Sequence, residues 1–248
     1  MLVNELDNIT SLFYSDCNYY NNIQSYINEL IYIFKKKSIK KLTQKDIEKY
    51  FKYLKVTKSN SNATINCKLA FLGKGLEYYN NNLKLPYQKV INKPKNIITD
   101  TQFNYLVDSH KHNKQMLQYL YLAYYTGLRV NEILNIRTGH FKKEENTYYL
   151  NLYNTKNHSD NFIPLTNKLN DIVNSFEEFT LNYKQVHYLL SLHKVTSHQF
   201  RHTFITRCYE KGLDCMVIMK LSNHKSLSVH QRYNHISNKR LKDIVQVL

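Results

Sequence analysis

The sequence has no P-loop, no GxGxxG run and no acidic cluster of the kind that holds a metal. Chemistry built on a bound nucleotide or a metal is therefore not signalled, and no cofactor is expected. The four cysteines, Cys17, Cys67, Cys208 and Cys215, form no CxxC pair and no Cys/His metal spacing. They read as reduced thiols of an intracellular protein. Long apolar runs are missing too: "ELIYIF" is far too short to span a bilayer, and "MLVNELDNIT" lacks a basic region followed by an apolar core. A soluble protein with no membrane partner is expected, with its compartment open between cytoplasm or nucleoid, nucleus and a viral compartment. Acids are scarce: 19 Asp and Glu against 35 Lys and Arg leave a formal charge of +16, which asks for a polyanion, nucleic acid first among them. Abundant Asn, Lys, Ile and Tyr beside five glycines, three prolines and no tryptophan also fit an AT-rich genome. The charge alone therefore points to nucleic acid without establishing it.

What is present is mostly helical pattern. From Tyr19 to about Asn82 apolar residues such as Ile23, Ile27, Leu30 and Phe34 recur at helical spacing. "KLTQKDIEKYFKYL" offers Thr43 as an N-cap with Asp46 three residues on, and "SNATINCKLAFLGKGLEYY" is a further helix. Two of the three prolines then fall in an unpatterned, lysine-rich stretch that reads as a linker. The expected division is a helical domain over 1–85, a linker over 86–98 and a second domain over 99–248. In the second domain Thr99 and Gln102 form a capping pattern, and "KQMLQYLYLAYYTGLRVNEILNI" reads as two helices broken at Thr126-Gly127. Strand character is confined to "NTYYLNLYNTKNHSDNFIPL", read as a hairpin about the turn "NTKNHSD". The fold class is mainly α with a small β-hairpin or sheet (α+β).

Several residues could carry chemistry. Taken singly, each has a bland reading: Arg129 a surface ion pair with Glu132, Lys156 a solvated turn lysine, His198 with Arg201 and His202 a basic helix face, His224 a hydrogen-bonding histidine, Tyr233 one tyrosine among 22. Together they describe one kind of site. A phosphodiester attacked by a phenol needs guanidiniums on its non-bridging oxygens, donors for the developing charge, a base for the phenol and an acid for the leaving hydroxyl. Arg129 and Arg201, His198 and His224, Tyr233 and Lys156 fill that set.

The ordered set resembles the tyrosine recombinases of the phage integrase family. "TGLR" with Glu132 three residues on, "HQFRH" over His198 to His202, the late His224 and Tyr233 nine residues after it follow the family's order, and Lys156 falls where a hairpin lysine is expected. Two positions depart from the pattern: Asn223 replaces the glycine usual before the late histidine, and Gln199 stands where an apolar residue is common. Asn tolerates the left-handed backbone that glycine would supply.

The resemblance implies a helical core-binding domain, a linker and a catalytic domain. It implies a site-specific recombinase or integrase that cleaves and rejoins double-stranded DNA through a covalent 3′-phosphotyrosyl link, without metal or ATP, as a homo-oligomer, a tetramer on two DNA sites. Arg129, Lys156, His198, Arg201, His224 and Tyr233 would be catalytic, with Glu132 and His202 supporting. Rival readings are nicking and resealing in the manner of a type IB topoisomerase, a catalytically silent DNA-binding protein of the same fold, and a basic helical scaffold. The apolar residues of "RLKDIVQVL" suit a helix packed on its own domain or one docked on a neighbour in a multimer.

Overall fold

The computed structural model describes residues 2–14, 20–35, 37–91, 96–152, 161–223 and 227. Lys156, His224, Tyr233, the whole turn "NTKNHSD" and the C-terminal segment lie outside them. The chain divides into two compact units, Met1–Asn92 and Lys93–Leu248.

The first unit is helical: α1 (Leu2–Tyr14), α2 (Tyr20–Phe34), α3 (Gln44–Lys52), which runs on as a wider turn over Tyr53–Thr57, and α4 (Asn62–Tyr78). Its core gathers Leu6, Ile27, Leu30, Ile47, Leu54 and Leu69, each buried. The helical pattern was expected to begin at Tyr19; the chain is helical from Leu2. Leu2, Leu6 and Ile9 make a buried stripe on α1, but exposed Val3, Leu12 and Phe13 blur it in the sequence. Buried Glu5 on α1 accepts from the Ser38 hydroxyl (2.6 Å) and the Ile39 amide (2.8 Å), tying the start of the chain to the turn before α3. Asp46 caps α3 as its position suggested, accepting from the Thr43 amide at 2.8 Å and its hydroxyl at 2.7 Å.

The second unit holds α5 (Asp100–Ser109), α6 (Lys114–Thr126), α7 (Val130–Leu134), β1 (Phe141–Glu144), β2 (Thr147–Leu152), β3 (Asn161–Pro164), α8 (Asn170–Asn174), α9 (Tyr183–Ser191), α10 (Ser197–Glu210) and α11 (Cys215–Leu221). The expected hairpin is present as β2 and β3, antiparallel with Leu152 opposite Asn161. A third strand, β1, corrects the confinement of strand character to that hairpin: it pairs antiparallel with β2 across a two-residue turn, Glu144 opposite Thr147. Its "FKKE" sequence carries no strand pattern because it is an edge strand facing solvent, where charge is favoured over apolar alternation.

Helix α10 runs through the middle of this unit and is buried on nearly every side, including at Phe200, Arg201, Thr203, Ile205 and Cys208. Its start is capped by Gln199, whose side-chain oxygen accepts from the Thr196 amide at 2.7 Å. This gives the polar residue at 199 a local purpose. Further along, the Thr203 hydroxyl accepts from the Ile98 amide at 2.7 Å, holding the chain entering α5 against α10.

Candidate active site

The site begins with the end of α6. Gly127 adopts φ +65, and a Cβ there would lie 2.6 Å from the Phe204 ring. Glycine is required twice over, once by the backbone and once by the approach of α10. The break turns the chain so that Arg129 precedes the first residue of α7. Glu132, one turn on, reaches back to accept from the Arg129 amide (2.7 Å) and from its guanidinium (2.8 Å). The Arg129 side chain remains about half exposed, at 48%.

Arg201 comes to the same place from α10 with the opposite environment, only 1% exposed. Burying a guanidinium is costly unless acceptors surround it. One nitrogen donates to the Gly127 carbonyl at 3.0 Å and lies 4.0 Å from the Glu132 carboxylate. Thus the carbonyl of the glycine that breaks α6 also receives the buried arginine. The glutamate beside Arg129 carries charge facing both guanidiniums.

The fourth member of the cluster, Asn223, lies just beyond α11. It adopts φ 51, the left-handed conformation anticipated for it, and its side-chain amide donates to Glu132 at 3.3 Å. Its carbonyl accepts from Arg129 at 3.4 Å. Sequence reading weighed Asn223 as a substitute for glycine and missed that its side chain reaches the acid. The spacing of 91 residues between the two offers no local signal.

His198 and His202 occupy successive turns of α10, their rings edge to face with centroids 4.4 Å apart. His198 is exposed and His202 buried. The flank of α10 is braced by Arg207, whose guanidinium lies 4.6 Å over the Tyr124 ring. Tyr124 stacks on Phe103 at 3.9 Å and donates to the Asp100 carboxylate. Burial foremost, reinforced by the hydrogen bond to that carboxylate, raises the Tyr124 phenol well above its ordinary pKa. Burial likewise pushes the Cys208 thiol on α10 up to about 11, against the pull of Lys211 and Arg207. Among the described residues no group of three or more His, Cys, Asp or Glu side chains could hold a metal, and no helix is long and apolar enough to cross a membrane.

Comparison with known proteins finds relatives in sequence and in fold. The phage integrase family pattern matches residues 173–240, and that of the phage integrase N-terminal SAM-like domain matches residues 12–89. The tyrosine recombinase XerA of Pyrococcus furiosus is 32% identical over 149 residues, covering 50% of this chain and 51% of that protein. This alignment spans about half of that relative's length. A tyrosine recombinase of Thermosipho africanus is 23% identical over 247 residues, covering 86% of this chain and 87% of that one. Two solved structures share the fold. The XerH recombinase in a pre-cleavage complex with difH has a TM-score of 0.69 at 16% identity, over 98% of this chain and 94% of that chain. A lambda integrase tetramer on a Holliday junction has a TM-score of 0.65 at 15% identity, over 94% and 76%. The chain belongs to the tyrosine recombinase, or phage integrase, family.

Proposed function

We propose that this chain is a site-specific recombinase that cuts and rejoins double-stranded DNA through a covalent 3′-phosphotyrosyl intermediate on Tyr233. The observation that carries the reading is the pairing of two guanidiniums from distant segments about one carboxylate, with Arg201 buried and rigid and Arg129 half exposed toward an incoming anion. Such a pair suits the two non-bridging oxygens of a phosphodiester, whose charge grows in the transition state.

In the step proposed, the phenol oxygen of Tyr233 bonds to phosphorus while the bond from phosphorus to the 5′-oxygen breaks. The phenol proton passes to a base, a part suited to His198 or His224, and the departing 5′-oxygen takes a proton from Lys156. Attack by a 5′-hydroxyl on the phosphotyrosine reverses the step, so the phosphodiester energy is kept and neither ATP nor metal is consumed. Glu132 and His202 support the groups that touch phosphate. A helical domain over 1–85, joined through 86–98 to a catalytic domain over 99–248, would close on the duplex, and two bound sites would be joined by a tetramer.

The deciding experiment is covalent trapping on a pooled library of nicked duplexes. The unaltered protein should yield an adduct that survives denaturation, whereas Tyr233→Phe should shift DNA with similar affinity and yield none. An adduct at normal yield from Tyr233→Phe would remove the tyrosine from its role, and no adduct from the unaltered protein would overturn the reading.

A further inference from the structure

We infer that Asn223 is a positioning residue that locks the Arg129–Glu132 pair to the end of α11, so that the exposed guanidinium is held ready before DNA arrives. The inference rests on the recombinase reading above and adds a residue to it. Three observations carry it. Asn223 makes contacts with both of its polar ends, its amide to Glu132 at 3.3 Å and its carbonyl from Arg129 at 3.4 Å. It does so from φ 51, a conformation that most side chains resist and that aims these two groups at the pair. And the segment bearing it is anchored: Ser222, fully buried, donates its hydroxyl to the Ile218 carbonyl at 2.7 Å on α11.

The physical need is clear from the exposures. Arg201 is fixed by its burial, but Arg129 is half exposed on a flexible stem, and its hold on Glu132 is a pair three residues apart of the kind that contributes little by itself. An acceptor from another element restricts that guanidinium further, and a donor to Glu132 keeps the carboxylate turned between the two arginines. Glycine at 223 would permit the same backbone and could supply the carbonyl, but it has no amide for Glu132. Among the described residues, the charged groups joined to Asn223 are Glu132 and Arg129, with Arg201 across the carboxylate.

Two variants separate positioning from mere folding. Asn223→Gly keeps the left-handed turn and removes only the amide. Asn223→Asp keeps the shape but sets a carboxylate against Glu132, a repulsion that weakens as falling pH neutralises the introduced carboxyl. Adduct formation is followed in single turnover at saturating library DNA, from pH 5.5 to 8, at a temperature where thermal unfolding shows each variant folded. Asn223→Gly should be slower by about tenfold, the worth of one lost hydrogen bond to a charged partner, at every pH and with DNA affinity unchanged. Asn223→Asp should be slower still at pH 8 and recover toward the unaltered rate, as a ratio, at pH 5.5. Rates equal to the unaltered protein's in both variants would overturn the positioning role and leave the recombinase reading standing. If the unaltered protein forms no adduct, the reading falls and the inference with it.

Discussion

Arg129 and Arg201 carry the same group and meet the same glutamate, yet their surroundings prepare them for different tasks. Arg201 is held by a backbone carbonyl inside the second unit, so its orientation is settled by the fold; Arg129 depends on Glu132 and Asn223 and has a free side toward solvent. Lysine cannot replace either fork, since a point charge cannot span two oxygens. Arg129→Lys and Arg201→Lys should each cut single-turnover adduct formation by about a hundredfold or more, the cost of one well-placed transition-state donor. Thermal unfolding should move little for Arg129→Lys and drop for Arg201→Lys, where the buried acceptors lose a partner; full activity in either would make that arginine structural. Gly127 belongs to the same scale. Gly127→Ala meets both a left-handed φ and the Phe204 ring, so urea denaturation should show a loss of about 2–3 kcal/mol; a change below about 0.5 kcal/mol would mean that α10 yields freely there.

At the scale of elements, the helices are set by short hydrogen-bonded signals at their ends, and the clearest is the cap of α3. Burial would raise the Asp46 carboxyl, but hydrogen bonds from Lys37 at 2.5 Å and from Thr43 outweigh it and hold the group below the usual carboxylate range. The folded-state pKa is thus depressed, so the contribution is complete above the unfolded value, about 3.9, and is lost as pH falls through the folded value. Asp46→Asn keeps an acceptor for Thr43 but loses the charge facing Lys37, so it should cost up to about 1 kcal/mol in urea melts at pH 7, and the gap from the unaltered protein should narrow at pH 3. A gap that is the same at both pH values would show that the charge contributes nothing. The same kind of local bond explains why Thr99 with Gln102, Thr43 with Asp46 and the break at Thr126-Gly127 were legible in the sequence: each joins residues three or four apart. Strand β1 was not legible, since its edge position rewards the lysines that disguise it.

For the whole molecule, the net charge of +16 offers a test of the DNA binding proposed above. If lysines neutralise some six to ten phosphates, affinity for duplex DNA should fall by about 10³–10⁵ between 50 and 200 mM salt. Tyr233→Phe should show the same slope, because the nucleophile adds no charge. Binding that hardly changes over that range would mean that the lysines lie away from the duplex and reflect composition alone.

The order of Arg129, Glu132, His198, Arg201, Asn223, His224 and Tyr233 along the chain, the helix ends and the class of chemistry they suit were properties of the sequence by itself, because motif spacing and capping need only near neighbours. The burial of Arg201, the use of the Gly127 carbonyl as its acceptor, the reach of Asn223 to Glu132 and the anchoring of α1 by Glu5 were decided only in the tertiary structure. These contacts join residues 33 to 91 positions apart. Which of many possible distant partners meet is settled by how helices with covered faces pack, and closing so long a loop is favourable only when that packing offsets its entropy.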